Sequence, residues 1–561
     1  MKQKAIIILM IMVLLFTGSI AAQEIVRIPQ TNPNYQIDDW TSYTMTRWMY
    51  SLAKGYDYIY FATSGGIARF NHYTRKWDFP WTVSNGLADN EVHVVGFDFD
   101  TAYLWCATPY SVSVYFSTFR RWENYYFDDM GLPMTEKIVS IGFDRDYVWL
   151  ENANGRILRG NKRGGGGFNY ASLSPGNNTN IRWFGFRGQQ RGELPRFFMS
   201  SGYFFEPEGF ITDVNLNEYD ISYWLLSERE IYWLATYGLG AARAEARIDQ
   251  LELLTYGLFL NNVSAMDYDK ENDIFWTGGM GDYEGESGIT KWNISARKWD
   301  YYRADYLTVL QSDQVTSVAV DEDPFVWFGT DAGLALYNKN KNDWKFYTIF
   351  EQLTDNFVYD IALDDTNVWV GTASGVTRII KQSLQNDSLT IDRIKPKALH
   401  DVEVYDVEIM KNLIWMGTQF GVYVYDLKRD KGGFQSETSG PRNEPVYAVS
   451  VYENEIWFGL EGGVEVYDMT AEKWLGGPQK RFNEPETIAF LKADEKAVWA
   501  ATEDHGVLKY DKERGRWVHF TIEDGLPSNT VNTIVLDSDY VWFGSPEGIT
   551  KFYWNAPYRI D

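Results

Sequence analysis

One aromatic position recurs along almost the whole chain, about every 42 residues, inside short runs of β-branched and aromatic residues. Residues 315–348 show the unit best, as four apolar runs separated by Gly, Asp or Asn. Such runs, bounded by turn residues, are typical of strands and hairpins. We name the four predicted strands A, B, C and D in chain order. The recurring aromatic lies in strand B, at Tyr60, Trp105, Trp149, Trp233, Trp276, Trp327, Trp369, Trp415, Trp457, Trp499 and Trp542.

This repeat predicts an all-β fold of β-propeller blades. Four antiparallel strands in a unit of about 40 to 45 residues are typical of one blade. A lone four-stranded sheet cannot bury both faces, so we expect the strand B aromatics to fill the space between adjacent blades. The step from Trp149 to Trp233 is twice the usual one, which predicts a degenerate copy at residues 198–202 and about twelve blades in total.

The two ends of the repeat predict how the blades close. Residues 38–43 match an isolated strand D, whereas the last unit has only strands A, B and C. Because an open sheet leaves unpaired edges, an early strand D is expected to complete a later blade. We favour two tandem six-bladed propellers, at residues 23–295 and 296–561, each closed by its own first strand D. A seven-plus-five split and one large ring are the alternatives.

The N-terminal segment, residues 1–22, has the composition of a signal peptide. Lys2 and Lys4 precede an apolar run of 12 residues, and the small residues Ala21 and Ala22 follow it. The mature chain is therefore expected to be exported, periplasmic or extracellular, and not inserted in a membrane. The formal charge of −25 argues against nucleic acid as a partner, since nucleic-acid binding needs a basic surface.

The connections between strands D and A carry a finer pattern. Residues 84–90 and 523–531 share Gly-Leu and Asn positions, and the units continue with strand A, an acidic turn and Val-Trp-Phe-Gly-Thr/Ser. This pattern resembles the two-component regulator propeller repeat. The resemblance implies the exported sensor half of a hybrid two-component system, many of which sense glycans. The family's kinase part is missing from the sequence, so the resemblance implies a separate signalling or assembly partner.

Candidate ligand-binding residues are expected on the face that carries the B–C turns and the D–A loops, because loops on a rigid scaffold often carry function. Aromatic residues that interrupt these loops suit the faces of sugar rings, and rim packing is their alternative role. The Asn residues of the D–A loops could instead satisfy backbone groups of the turns. The predicted ligand-binding residues are Trp81, Tyr110, Tyr237, Tyr283, Phe420, Asn90, Asn261, Asn356 and Asn529.

The sequence predicts no catalytic residue, no metal site and no cofactor. The five histidines lack metal-ligand spacing, and the carboxylate pairs Asp321/Asp323 and Asp364/Asp365 fall in A–B turns, where Asp is typical turn chemistry. The favoured function is therefore an exported binding or sensory protein for a glycan or protein partner. The alternatives are a polysaccharide hydrolase or lyase and a structural component of a surface or secretion assembly. A catalytic propeller should cluster carboxylates of raised pKa with Arg or His at a ring axis.

Overall fold

The computed structural model describes most of the chain after the segment predicted to be a signal peptide. It describes residues 35–559 except 37, 166, 174–179, 201, 207, 282–286, 323, 385–389, 394–396, 436–443 and 476–485. The signal-peptide prediction therefore lies outside the described residues.

The first half of the chain forms four sheets after a short first strand that pairs elsewhere. The strands are β1 (Trp40–Tyr43), β2 (Met49–Lys54), β3 (Tyr58–Thr63), β4 (Gly66–Asn71), β5 (Lys76–Trp77), β6 (Val94–Asp98), β7 (Tyr103–Ala107), β8 (Ser111–Phe116), β9 (Arg121–Tyr126), β10 (Ile138–Phe143), β11 (Tyr147–Asn152), β12 (Ile157–Asn161), β13 (Asn169–Ala171), β14 (Arg182–Gly185), β15 (Phe198–Met199), β16 (Tyr203–Glu206), β17 (Phe210–Asp213), β18 (Glu218–Ser227), β19 (Ile231–Thr236), β20 (Ala241–Glu245) and β21 (Gln250–Leu254). The sheets are β2–β5, β6–β9, β10–β14 and β15–β21.

The second half forms six four-stranded sheets and, with β1 as the added strand, a seventh, and strands consecutive within each sheet of β22–β48 are neighbours in it. The strands are β22 (Ala265–Asp269), β23 (Ile274–Gly278), β24 (Ile289–Asn293), β25 (Lys298–Tyr302), β26 (Val315–Val320), β27 (Phe325–Thr330), β28 (Leu334–Asn338), β29 (Asp343–Tyr347), β30 (Val358–Leu363), β31 (Asn367–Thr372), β32 (Gly375–Ile380), β33 (Ile391–Arg393), β34 (Val404–Met410), β35 (Leu413–Thr418), β36 (Gly421–Asp426), β37 (Lys431–Phe434), β38 (Val446–Tyr452), β39 (Glu455–Leu460), β40 (Gly463–Asp468), β41 (Lys473–Trp474), β42 (Ile488–Ala493), β43 (Ala497–Thr502), β44 (Val507–Asp511), β45 (Arg516–Phe520), β46 (Thr533–Asp537), β47 (Tyr540–Ser545) and β48 (Gly548–Phe552). The prediction of an all-β fold of four-stranded antiparallel blades is confirmed.

Helix is confined to single turns in the described part of the chain. The α-helix is α1 (Lys381–Leu384), and the 3-10 turns are Val83–Asn85, Glu228–Glu230, Ile349–Glu351 and Lys397–Leu399. Within the described ranges, no helix has the length and apolar character needed to cross a bilayer.

The seven sheets of the second half close a ring through their strand A segments. β22 packs against β26, and this adjacency continues through β30, β34, β38, β42 and β46, which packs back against β22. β1 is the fourth strand of the last blade, where Trp40 pairs with Phe552 and Tyr43 with Ile549. We call this group, β22–β48 together with β1, the C-terminal ring.

Strand pairing differs from the favoured six-plus-six arrangement. In that arrangement, the strand with Trp40 would complete the Trp276 blade and close the first ring. The strand D that follows the Trp276 unit would then complete the last blade of the second ring. Instead, β25 stays in its own blade, where Trp299 pairs with Trp292, and β1 joins β48. β1 and β25 both carry a tryptophan followed by a tyrosine, so this pattern could not specify which blade receives each strand. The domain limits 23–295 and 296–561 stay a prediction, and these pairings favour a boundary before β22.

The strand B tryptophans lie between blades, as the repeat predicts. Trp276, Trp327, Trp369 and Trp499 are completely buried. Each strand B tryptophan of the C-terminal ring packs with core residues of the following blade. Trp542 of the last blade meets Phe275 of the first with ring centroids 4.6 Å apart, so the same contact closes the ring.

The first half is less regular, as its loop-rich sequence predicts. The innermost strands β18, β2, β6 and β10 lie side by side, while β14 pairs with β10 and packs on β6 and β2. The prediction of a degenerate blade at residues 198–202 is wrong. Phe198 and Met199 pair in parallel with Gln250 and Leu251 at the edge of the β15–β21 sheet, so the described chain has eleven sheets.

Candidate functional site

The axis of the C-terminal ring is a channel lined by all seven strand A segments. It encloses a cavity of about 450 Å³, with polar and apolar side chains from β22, β26, β30, β34, β38, β42 and β46. Because the D–A loops lead into strand A, one mouth of this channel lies on the predicted binding face.

Three tyrosines at the mouth are each the extra residue of a β-bulge. In β34, the residues on either side of Tyr405 pair with Thr418 and Gly417, so Tyr405 itself has no partner in strand B. The same irregularity occurs at Tyr359 in β30 and Tyr447 in β38. A bulge turns a side chain out of the regular alternation, and all three tyrosines line the channel.

These side chains form a continuous arc on three successive blades. Phe357 and Tyr359 have ring centroids 4.9 Å apart, Tyr359 and Tyr405 5.2 Å, and Tyr405 and Tyr447 5.4 Å. All four rings are partly exposed. We call these four residues the aromatic arc. It offers ring faces and edges at the entrance of a cavity, which suits the apolar face of a ligand or a cation.

Carboxylates surround the arc, and we call Glu403, Glu461 and Glu503 the mouth carboxylates. The Tyr405 hydroxyl donates to Oε2 of Glu403 at 2.6 Å. Burial raises the pKa of Tyr405, and the hydrogen bond to Glu403 raises it further. Burial likewise raises the pKa of Tyr447, together with the charges of Glu461 and Glu503. The tyrosines are therefore neutral at physiological pH and lie in a negative field.

Inside the channel, three aspartates tie adjacent blades together. Each accepts a backbone N–H from strand A of a following blade: Asp267 from Val320 at 2.8 Å, Asp360 from Val407 at 3.0 Å and Asp406 from Val449 at 2.7 Å. Ser51 and Ser450 accept from Val95 and Ala493 in the same way. Because serine can replace aspartate in this contact, the primary role of these aspartates is structural.

Lys492 is the basic residue among the channel-lining side chains. Its Nζ lies 3.2 Å from Oε1 of Glu408, two blades away. Burial raises the pKa of Glu408, and Lys492 opposes that rise. Burial would lower the pKa of Lys492, but Glu408, Asp406 and Asp360 outweigh it and raise the pKa. The Lys492 and Glu408 side chains keep 39% and 26% of their accessible area, because they face the channel rather than protein atoms.

The channel meets part of the expectation for a catalytic propeller. Carboxylates with raised pKa values, Asp267, Asp406 and Glu408, do cluster at the axis. The basic group among them is Lys492, however, not Arg or His, and it is ion-paired with Glu408. The backbone hydrogen bonds to Asp267 and Asp406 hold both carboxylates against the channel wall.

The A–B turn carboxylates serve as turn and inter-blade groups. Oδ1 of Asp364 accepts the N–H groups of Thr366 at 2.7 Å and Asn367 at 2.8 Å, which confirms the turn prediction. Asp321 instead pairs with Lys381 of the next blade at 2.7 Å. Within the described residues, no group of three or more His, Cys, Asp or Glu side chains is placed to hold a metal ion.

The predicted Asn residues bind backbone groups. Three accept the N–H of the residue seven positions earlier: Asn90 from Val83, Asn356 from Ile349 and Asn529 from Ile522, at 3.0, 2.8 and 3.0 Å. Asn261 accepts the N–H of Met45. All four side chains thus shape the D–A loops, and they lie on different blades rather than in one cluster.

The predicted aromatic residues are also dispersed. Trp81 is buried beneath the Arg69 guanidinium, 4.2 Å from the ring centroid, and Tyr283 lies outside the described residues. The remaining three are exposed on B–C turns, with exposed fractions of 36% for Tyr110, 45% for Tyr237 and 51% for Phe420. Phe420 follows Gln419, whose N–H donates to the carbonyl of Glu403, so Phe420 lies beside the channel mouth. The ligand-binding roles of these residues stay predictions.

Sequence reasoning missed the aromatic arc. A signal was present, because Val-Tyr begins strand A at Val358, Val404 and Val446 and in no other unit of the C-terminal ring. Regular alternation, however, places the residue after a buried valine on the opposite face, so the strand pattern alone does not predict that these tyrosines reach the channel. The bulge that brings the tyrosines to the channel is not marked by one residue type, because Thr316 and Ala489 occupy the same position in other blades.

No family model matches the chain. No curated protein matches it either. Among solved structures, the chain is similar to PorZ, an essential bacterial surface component of the type-IX secretion system of Porphyromonas gingivalis. It is 15% identical, with 90% of this chain and 74% of PorZ covered and a TM-score of 0.48.

Two further similar structures are extracellular domains of putative hybrid two component systems from B. thetaiotaomicron. BT4673 is 14% identical, with 92% of this chain and 71% of that chain covered and a TM-score of 0.46. BT3049 is 17% identical, with 89% and 74% covered and a TM-score of 0.43. The fold of this chain rests on its own strand pairing rather than on these similarities.

Proposed function

We propose that the protein is an exported, non-catalytic recognition protein that binds a glycan or a protein partner through the loop face of the C-terminal ring. The observation that carries this proposal is the aromatic arc. Three tyrosines on successive blades leave the regular strand pattern at the same position and meet at the mouth of one cavity. A purely structural role would not require bulge residues to be aromatic, since Thr316 and Ala489 occupy the same position in other blades.

We propose further that the chain is a member of the two-component regulator propeller repeat family. The support is the repeated strand B motif and the Gly-Leu and Asn positions of the D–A loops, whose Asn side chains make the same backbone contact in three units. A sensor of this kind passes its signal to another protein. A separate signalling or assembly partner is therefore part of the proposal.

The enzyme alternative has one supporting observation, the raised pKa values of the channel carboxylates. Glu408 would be the catalytic carboxylate of a polysaccharide hydrolase or lyase. The channel aspartates Asp360 and Asp406 are less suited to that role, because they accept backbone N–H groups of neighbouring blades. The assembly alternative needs an exposed apolar surface. Exposed Phe198, Phe204 and Leu216 on β15, β16 and the β17–β18 turn are the residues that favour it.

A ligand screen with matched variants tests the proposed function. The purified chain is titrated with a panel of neutral, acidic and amino-sugar oligosaccharides and short peptides, followed by tryptophan fluorescence and calorimetry. The double variant Y405A/Y447A should lose binding at least tenfold. The control variant Tyr73→Ala, whose side chain is 72% exposed in the β4–β5 turn outside the C-terminal ring, should bind as the wild type does.

Two results would overturn this function. If Y405A/Y447A binds every ligand as tightly as the wild type, the arc is not the recognition surface. If incubation with the oligosaccharides releases cleaved products, and Glu408→Gln abolishes the release, the protein is an enzyme.

A further inference from the structure

We propose that the channel mouth of the C-terminal ring accepts a lysine or arginine side chain from an extended segment of a partner protein. This proposal rests on the proposed function, because it assigns a ligand chemistry to the same surface. The occupant is a basic side chain with its flanking backbone, rather than a neutral sugar.

The aromatic arc is the first reason. Aromatic ring faces attract ammonium and guanidinium groups, and the attraction increases when water is partly excluded. Tyr405 lies between Tyr359 and Tyr447 at 5.2 and 5.4 Å, so the three rings offer adjoining surfaces of different tilt. The apolar stem of a lysine or arginine side chain can lie along such rings.

The charge around the arc is the second reason. Glu461 and Glu503 are exposed next to Tyr447, and Glu403 accepts the hydroxyl of Tyr405. In the part of the chain that the structure describes, no lysine or arginine forms an ion pair with Glu403, Glu461 or Glu503. The mouth carboxylates would repel an anionic ligand, and a neutral ligand would form no ion pair with them. A basic side chain would pair with them.

The depth of the site favours a long side chain over an amino sugar. Asp406 follows Tyr405 directly, and Glu408 lies three residues beyond Tyr405 in β34, about 10 Å at the rise of a strand. Lys492 shows that an ammonium group is accommodated among these carboxylates, since its Nζ is 3.2 Å from Glu408. A second ammonium entering from the mouth on a flexible stem would meet Asp360 and Asp406. A pyranose amine is attached directly to the ring and could not reach past the tyrosines.

Paired peptides provide the test. Acetyl-Gly-Gly-Lys-Gly-Gly-amide and the corresponding arginine peptide are titrated by calorimetry against the wild type, with the norleucine peptide as a neutral match for lysine. We expect the basic peptides to bind at least tenfold more tightly than the norleucine peptide. This preference should shrink severalfold between 50 and 500 mM NaCl, because ion pairs at an open mouth are screened.

Variants locate the contact. E461Q/E503Q should reduce lysine-peptide affinity severalfold while norleucine-peptide binding stays unchanged, and Y405A/Y447A should abolish both. Glu271→Gln removes one exposed carboxylate from an A–B turn at the opposite end of its blade, so it serves as the control and should have no effect. Thermal unfolding of each variant shows that the fold is kept.

The outcomes separate this inference from the proposed function. If oligosaccharides bind at the arc but the lysine and norleucine peptides bind equally or not at all, the inference is wrong and the proposed function stands. If a glucosamine oligomer binds and the lysine peptide does not, the occupant is a glycan. If no glycan or peptide binds at the arc, both proposals fail.

Discussion

Trp40 stacks on Phe552, with ring centroids 3.7 Å apart and ring planes only 9° apart, although 512 positions separate the two residues in the chain. Trp40 is 1% exposed and also contacts Phe520 and Phe543. The contact joins β1 to the last blade, so this blade combines strands from both ends of the chain. Closure of the C-terminal ring thus depends on a strand that precedes the whole first half in sequence.

The substitution Trp40→Ala should lower the free energy of unfolding of the C-terminal ring by about 3 to 5 kcal/mol, as expected for a buried aromatic residue truncated in a core. Urea unfolding measures the loss. Tyr73→Ala removes an exposed ring and should change the free energy by no more than about 0.5 kcal/mol. Equal effects of the two substitutions would show that β1 does not hold the ring closed.

A buried lysine joins two blades in the first half of the chain. Nζ of Lys162 lies 3.2 Å from Oδ1 of Asp98 and 2.8 Å from Oδ2 of Asp100, and it donates to the carbonyl of Asp144 at 2.8 Å. The same contact, from a lysine just after strand C to a carboxylate of the preceding blade, recurs in the C-terminal ring. It joins Lys339 to Asp269, Lys381 to Asp321 and Lys512 to Glu455, at 3.0, 2.7 and 3.3 Å.

The substitution Lys162→Met should destabilise the protein by about 3 to 5 kcal/mol, because it leaves the Asp98 carboxylate buried without its cation. The double variant D98N/K162M should recover part of that loss. Arg247→Met breaks an ion pair whose side chains are 62% and 64% exposed, so it should cost less than about 1 kcal/mol. If chemical unfolding shows that Lys162→Met lowers the free energy of unfolding no more than Arg247→Met does, the ion pair of Lys162 with Asp98 does not hold the two blades together.

The blade repeat and the inter-blade tryptophans could be predicted because each is a local pattern. Trp327 and Trp369 both follow a valine and precede a Gly-Thr pair by one residue, and each packs against the following blade. Which blade receives Trp40 could not be predicted, since Phe552 offers the same strand C surface as Phe70 or Tyr337. That choice depends on how the first half folds as a unit, and a repeat pattern carries no information about it.

The sequence predicts the face on which the candidate site lies, the one with the B–C turns and D–A loops, but not the residues of the aromatic arc. Asn356 is predicted because it lies in a D–A loop of the expected binding face, but its side chain accepts the N–H of Ile349 and shapes that loop. Tyr359, three residues later, looked like an ordinary strand residue. Its position at the channel mouth follows from the bulge after Val358, which depends on the packing of neighbouring blades and not on a local residue preference.

Removing Lys492 should make stability depend more strongly on pH. Lys492 lowers the pKa of Glu408, which burial raises, so Lys492→Met should raise that pKa further. A carboxyl group whose pKa is raised by folding stabilises the folded state at low pH and loses this contribution as the pH rises through the folded value. Lys492 itself stays charged between pH 5 and 8, because its pKa is raised from 10.5.

The measurement is the thermal unfolding midpoint of the wild type, Lys492→Met and E408Q/K492M at pH 5 and pH 8. Relative to the wild type, Lys492→Met should be destabilised more at pH 8 than at pH 5. The double variant E408Q/K492M should lie closer to the wild type at pH 8 than Lys492→Met does, because no uncompensated carboxylate remains. A pH-independent effect of Lys492→Met would contradict the coupling.

A hairpin from the first half reaches the C-terminal ring at Asp213. Its Oδ2 accepts the hydroxyl of Tyr306, which follows β25, as well as the Tyr219 hydroxyl at 3.0 Å and the side chain of Asn217 at 3.0 Å. Asn215 adds a second link by donating to the carbonyl of Asp305 at 3.4 Å. Burial would raise the pKa of Asp213, but the hydrogen bonds from Tyr306, Asn217 and Tyr219 outweigh it and lower the pKa from 3.8 to about 2.

This contact should make the attachment of the hairpin sensitive to acid. Because folding lowers the pKa, Asp213 contributes stability that is fully present above about pH 5 and is lost as the pH falls from 3.8 towards 2, roughly 2 kcal/mol in all. Asp213→Asn should therefore be less stable than the wild type at pH 6, and the difference should shrink at pH 3. Tyr306→Phe removes one donor and should give an intermediate difference with the same pH trend. Urea unfolding at the two pH values measures both, and a difference that grows at pH 3 would reverse the assigned direction of the shift.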